Sequence, residues 1–110
     1  MQHQKLPKDF PYLADMYQDD YFPEFLVDKI KAAIEEVVGL LEQGKFSETE
    51  IQVVLDQMTS KINDLQEEFE ENDSEIETGA RESIAATVEE ILRFFSVDID
   101  IEEAIRERDW

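Results

Sequence analysis

Apolar residues recur along this chain at helical spacing, and that pattern predicts the elements. Leu26, Ile30, Ile34, Val37, Val38 and Leu41 define a first helix from about Pro23 to Glu42. Pro23 suits its first turn, and Gly44 falls where a C-terminal cap would stand. Ser47-Glu48-Thr49-Glu50 reads as a capping box, in which Ser47 accepts from a free backbone N–H and Glu50 reaches back. Behind it Ile51, Leu55, Met58, Ile62, Leu65 and Phe69 form a heptad-like stripe, the best-defined helix of the chain. A second box, Ser74-Glu75-Ile76-Glu77, is expected to open a third helix carrying Ala80, Ile84, Val88, Ile91 and Phe95, with Gly79 weakening its first turns. Asp100 is placed to cap a short last helix whose Ile101, Ala104 and Ile105 face inward. Val97–Ile101 alternates briefly, too briefly for a strand, and reads as a connection.

The first 22 residues differ. All three prolines, Pro7, Pro11 and Pro23, lie in the first 23 positions, together with the aromatics Phe10, Tyr12, Tyr17, Tyr21 and Phe22. Proline removes a backbone donor and restricts its predecessor, so this arm is expected to be extended or broken into short turns. Short connections make antiparallel neighbours. The expectation is therefore one all-α domain over residues 1–110: an aromatic, proline-rich N-terminal arm (1–22), then a helical body (23–110) forming a small bundle of three main antiparallel helices plus a short C-terminal helix.

Two stretches carry a resemblance. Asp15-Met16-Tyr17-Gln18-Asp19-Asp20-Tyr21-Phe22-Pro23-Glu24-Phe25-Leu26-Val27-Asp28-Lys29 is one. Ile62-Asn63-Asp64-Leu65-Gln66-Glu67-Glu68-Phe69-Glu70-Glu71-Asn72, with the Ser74–Thr78 segment after it, is the other. Both resemble a family of short uncharacterised bacterial proteins known only as a domain of unknown function, over about Phe10 to Trp110. The resemblance implies a bacterial single-domain protein and brings no catalytic residue, substrate or cofactor.

Charge narrows the function classes. In 110 residues there are 29 Asp plus Glu against 10 Lys plus Arg, a formal charge of −19. Such a chain is repelled by phosphate backbones and anionic membrane surfaces, so neither direct nucleic-acid binding nor membrane binding is expected. The apolar fraction of 42 % is high enough for a folded core despite that charge. No apolar run approaches a membrane span, and Met1–Lys5 lacks the apolar region of a secretory signal. A cytoplasmic protein is expected.

The chemistry inventory is thin. With no Cys there is no thiolate metal site or cysteine nucleophile, and three glycines make no phosphate loop. The lone His3 sits at a terminus, badly placed for a general base or a metal ligand. Asp98-Ile99-Asp100-Ile101-Glu102 imitates the start of a calcium loop, but Glu103 stands where glycine is needed. No catalytic residue, metal site or cofactor is assigned, and the chain is not expected to be an enzyme.

What stands out is acid without base. Ile62–Ala80 holds eight acids and no Lys or Arg, and Asp64, Glu67, Glu68 and Glu71 share one helix face opposite the Leu65/Phe69 stripe. Elsewhere Glu77/Arg81, Glu89/Arg93 and Glu102/Arg106 offer favourable pairs four apart. In the arm, Tyr17 and Tyr21 interleave with Asp15, Asp19 and Asp20. These nine residues are the candidate partner-binding set, and a basic protein surface is the partner their charge would recognise. The expectation is a non-catalytic acidic domain that binds such a protein, immunity- or antitoxin-like or regulatory, itself a monomer or weak homodimer. The alternative is a carboxylate-rich divalent-cation binder or metal-dependent enzyme.

Overall fold

In the computed structural model, which describes residues 5–44 and 46–110, five helices follow one another: α1 (Ala14–Tyr17), α2 (Glu24–Glu42), α3 (Glu48–Glu71), α4 (Thr78–Phe94) and α5 (Ile101–Ala104). No strand occurs among the described residues, and the fold is the expected all-α bundle of three main helices, a short C-terminal helix and an N-terminal arm. His3 lies outside the described residues.

The core is the sum of the stripes. Leu26, Ile30, Ile34 and Leu41 of α2, Ile51, Leu55, Met58, Ile62 and Phe69 of α3, and Ala80, Ile84, Val88 and Ile91 of α4 are all buried. Two ion pairs set the α2/α3 register: Lys29 with Glu68 at 2.6 Å, and Glu36 with Lys61. Seven residues forward on α2 correspond to seven residues back on α3, so the two helices are antiparallel. The arm closes the core with Leu6, Leu13, Met16 and Phe22. It is tied to α2 by the Leu6 N–H on Glu42 Oε2 at 2.9 Å and to α4 by the Leu13 N–H on Thr87 Oγ1 at 3.2 Å. Its one helical turn, α1, was not expected between two prolines. It starts at Leu13, which is held at φ 51° and ψ 38°. A leucine in this left-handed region costs about 1–2 kcal/mol. Its fully buried side chain and the Thr87 bond hold it there.

Pro23 stands one position before the helix it was expected to join, as N-cap of α2. Of the two predicted capping boxes, one forms. Glu50 N–H donates to Ser47 Oγ at 3.1 Å and Ser47 N–H to Glu50 Oε1 at 3.2 Å. The Ser74 box does not form, because Ser74 is used to end α3. Its N–H donates to the Phe69 carbonyl at 2.8 Å, and Asp73 N–H to Glu70 at 3.2 Å, with Asp73 at φ 58°. That is a Schellman closure with aspartate in the glycine position. It repeats at the end of α4, where Ser96 takes φ 57° and Val97 N–H reaches Leu92 at 2.8 Å. At the end of α2 it is Gly44 that takes φ 72°. Helix α4 is instead capped by Glu77, whose Oε1 accepts from Gly79 N–H at 3.1 Å; a Cβ on Gly79 would meet that oxygen at 3.0 Å. Asp100 caps α5 as expected, accepting from Glu102 N–H.

Two predicted ion pairs are redirected for related reasons. Glu77 is occupied as a cap, and Arg81 donates to Thr78 Oγ1 at 3.0 Å. Helix α5 stops at Ala104, so Glu102 and Arg106 are not a turn apart on one helix. Arg106 grips Asp56 of α3 with two bonds, at 2.8 and 3.2 Å, and Glu102 meets Arg108 at 3.5 Å. Glu89/Arg93 forms at 3.7 Å.

The contrast between the two serines is testable. Ser47→Ala removes a formed cap and should cost about 1 kcal/mol of unfolding free energy. Ser74 Oγ is buried with no hydrogen-bond partner among the described residues. Ser74→Ala should therefore be neutral or slightly stabilising, since a buried unsatisfied hydroxyl is itself a cost. Urea unfolding of the two variants checks both, and equal losses would refute the assignment of the caps.

Candidate acidic and aromatic surface

The surface starts from what the α1–α2 corner cannot bury. Phe22, Leu26, Val27 and Ile30 turn inward, which sends Phe25, Asp28 and Lys29 to the solvent side of α2, one turn apart. Phe25 is 50 % exposed, Tyr21 44 % and Tyr17 37 %. Tyr17 donates its hydroxyl proton to Asp28 Oδ1 at 2.5 Å, which fixes the ring at the edge of α2. Partial burial, and then that bond to the carboxylate, push the Tyr17 phenol well above its ordinary range, so it stays a neutral donor. Tyr12, deeper in the arm, is pushed up to about 12 by burial and by the fields of Glu35 and Glu42. Lys31 Nζ sits 5.3 Å from the Tyr12 ring centre.

Lys29 joins the two features that the sequence sets forty residues apart. Its ammonium lies 5.9 Å from the Phe25 ring centre and 2.6 Å from Glu68 Oε1. The antiparallel register thus brings the acidic end of α3 beside the aromatic corner. Asp64, Glu67 and Glu71 are exposed and have no ion pair among the described residues. Glu68, expected to share that open face, is half-buried and neutralised by Lys29, so the face is compensated at one of its four carboxylates. A fully uncompensated surface is therefore not what forms.

The arm residues part company. Tyr17 belongs to the aromatic corner; Tyr21, exposed beside it in sequence, packs edge-on against the buried Phe22 ring at 5.1 Å. Asp19 turns back on the chain and accepts from Tyr21 N–H at 3.0 Å, which shapes the loop into α2. Asp20 is exposed. Asp15 instead lines a groove between α1 and α4. The set also lacked Phe25, Asp28 and Lys29. Their signal was present in the sequence: three residues spaced by three and four that fall off the Leu26/Ile30 stripe.

Among the described residues no three Asp, Glu or His converge as metal ligands, and no helix is long and apolar enough to cross a membrane. No curated protein and no solved structure matches the chain. Residues 6–110 match one family over nearly the whole sequence, in keeping with the resemblance of the Asp15–Lys29 and Ile62–Thr78 stretches. The chain belongs to a family of unknown function, DUF5713.

Proposed function

We propose that this chain is a non-catalytic acidic helical domain that binds another protein through that partner's basic surface. One observation carries the reading. Exposed Tyr17 and Phe25 flank Asp28 and Lys29 on the solvent side of α2, exposed Tyr21 lies on the loop between them in sequence, and Lys29 links this corner to the open carboxylates of α3. Aromatic side chains supply contact area at little entropic cost and dominate interface energetics. The carboxylates of Asp64, Glu67 and Glu71, on a chain of net charge −19, supply steering toward cations and reject anionic competitors. A neutraliser of a basic protein, of the immunity or antitoxin kind, fits this division of labour. So does a mimic of nucleic-acid charge. A bacterial, cytoplasmic setting suits both, since each acts on proteins inside the cell that makes it.

The divalent-cation alternative gains nothing from the geometry. Exposed acids on one helix face diverge, and a hard cation needs six or more oxygens to converge.

The test is affinity capture from the source cells at low and high salt, with three baits. The native chain should retain a basic protein at low salt and release it at high salt. Tyr17→Ser/Tyr21→Ser/Phe25→Ser, and separately Asp64→Lys/Glu67→Lys/Glu71→Lys, should each weaken retention at least tenfold, about 1.4 kcal/mol. A partner held equally by all three baits, or by salt-insensitive contacts alone, would overturn the proposal.

A further inference from the structure

An open groove of about 360 Å³ lies between α1 and α4. That volume lies within the range of small-molecule sites. Its walls are Phe10 and Pro11 of the arm, and Ala14 and Ala86 keep it open by having nothing beyond Cβ. The apolar lining is interrupted by four oxygen-bearing side chains and by no Lys or Arg. Asp15 and Glu90 stand exposed at opposite sides, on α1 and α4. Glu90 shares the Arg93 guanidinium with Glu89, at 3.6 and 3.7 Å, whereas Asp15 has no ion pair among the described residues.

The other two are hydroxyls. Thr87 accepts from Leu13 N–H, which pins α1 to α4 and holds the groove's width. Ser83 is only 6 % exposed, lines the groove, and makes no hydrogen bond among the described residues. A helical hydroxyl either bonds the carbonyl four residues back, as Thr59 does on Leu55 at 2.8 Å, or turns to solvent, and Ser83 does not do the first. Its oxygen is not sealed from solvent, so it opens on the groove and is free to accept from whatever enters.

We infer that this groove is a binding site for a small organic cation, an ammonium group carried on an apolar body. The carboxylates of Asp15 and Glu90 meet the charge and the Ser83 oxygen accepts one of its N–H bonds. Phe10 and the two alanines take the hydrocarbon. An anion of the same shape meets two carboxylates and the field of the whole chain. This site is independent of the protein-binding corner, since the two share no residue.

Titration of the ¹⁵N-labelled full chain with 2-phenylethylammonium chloride, followed by amide shifts, tests it. Saturable shifts are expected at Asp15, Ser83, Ala86, Thr87 and Glu90. Binding should weaken at least tenfold for the neutral 2-phenylethanol and vanish for 3-phenylpropionate. Asp15→Asn and Ala86→Leu should each weaken the ammonium at least fivefold. The first changes only an exposed charge, and the second puts a strong helix former at an exposed helical position, so both retain the fold. Equal affinity for the alcohol, shifts concentrated at Glu67 and Glu71 instead, or unchanged affinity in either variant would overturn the inference.

Discussion

Phe69→Ala should destabilise the domain by about 3–5 kcal/mol, a large part of the 5–15 kcal/mol that holds a domain of this size together. Phe69 is fully buried and is among the largest side chains in the core. It is also the only apolar residue in Glu67-Glu68-Phe69-Glu70-Glu71, so nothing beside it on α3 can substitute. Its carbonyl accepts from both Asn72 and Ser74, which makes it the pivot of the turn into α4 as well. Removing the ring therefore leaves a cavity where like charges crowd, and the last turn of α3 loses the contact that opposes their repulsion. Urea unfolding by far-UV circular dichroism should show a lowered midpoint with an unchanged slope. A loss under about 1 kcal/mol would mean that the acidic end of α3 is not anchored by this residue, and the open face of Asp64, Glu67 and Glu71 would lose its fixed position beside the aromatic corner.

How much of this was legible in the sequence depended on whether a signal was local and periodic. Helices α2 and α3 were readable because Leu26–Leu41 and Ile51–Phe69 keep their apolar positions on one face throughout. The Ser47 box was readable because both partners lie within one turn. Ser74 carried the same four-residue signature and misled, because the competing use of its backbone, closing α3 through Phe69, depends on Asp73 accepting a left-handed conformation. Aspartate adopts that conformation more often than most residues but advertises it less than glycine does. The acid stripe of α3 was visible, yet its partial neutralisation by Lys29 was not. That contact is 39 residues long in sequence and follows from the antiparallel register. The aromatic corner was half visible: composition marked the arm as aromatic, while only the packing of Phe22 inward separates the rings that close the core from those left outside.

The polar stripe Gln52, Asp56 and Asn63 of α3 is where the C-terminal segment docks, and no local pattern in the sequence marks it. Gln52 donates to the Glu103 carbonyl at 3.0 Å, Arg106 forks onto Asp56, and Asn63 both donates to the Glu107 carbonyl and accepts from Asp109 N–H, each at 2.8 Å. This lays residues 103–109 along α3 and brings Trp110, 9 % exposed, into the core cluster. Because Trp110 is the only tryptophan, its emission reports docking alone. Asn63→Ala should cost about 1–2 kcal/mol of docking free energy, the loss of two hydrogen bonds, and shift the emission to the red while helical signal persists. The same probe reads Asp56. Its carboxyl is held below the ordinary aspartate range, chiefly by the Arg106 hydrogen bonds, against a smaller opposing effect of burial. A carboxyl lowered in the folded state contributes stability that is complete above the unfolded value, about 3.9, and lost as pH falls through the lower folded one. Emission should thus hold steady from pH 7 to pH 5 and redden only below about pH 4. Asp56→Asn keeps the shape and removes the charge, so its emission should already be partly red at pH 7. A blue, pH-invariant emission in both Asn63→Ala and Asp56→Asn would show that apolar burial of Trp110 alone, and not the polar stripe, holds the segment on α3.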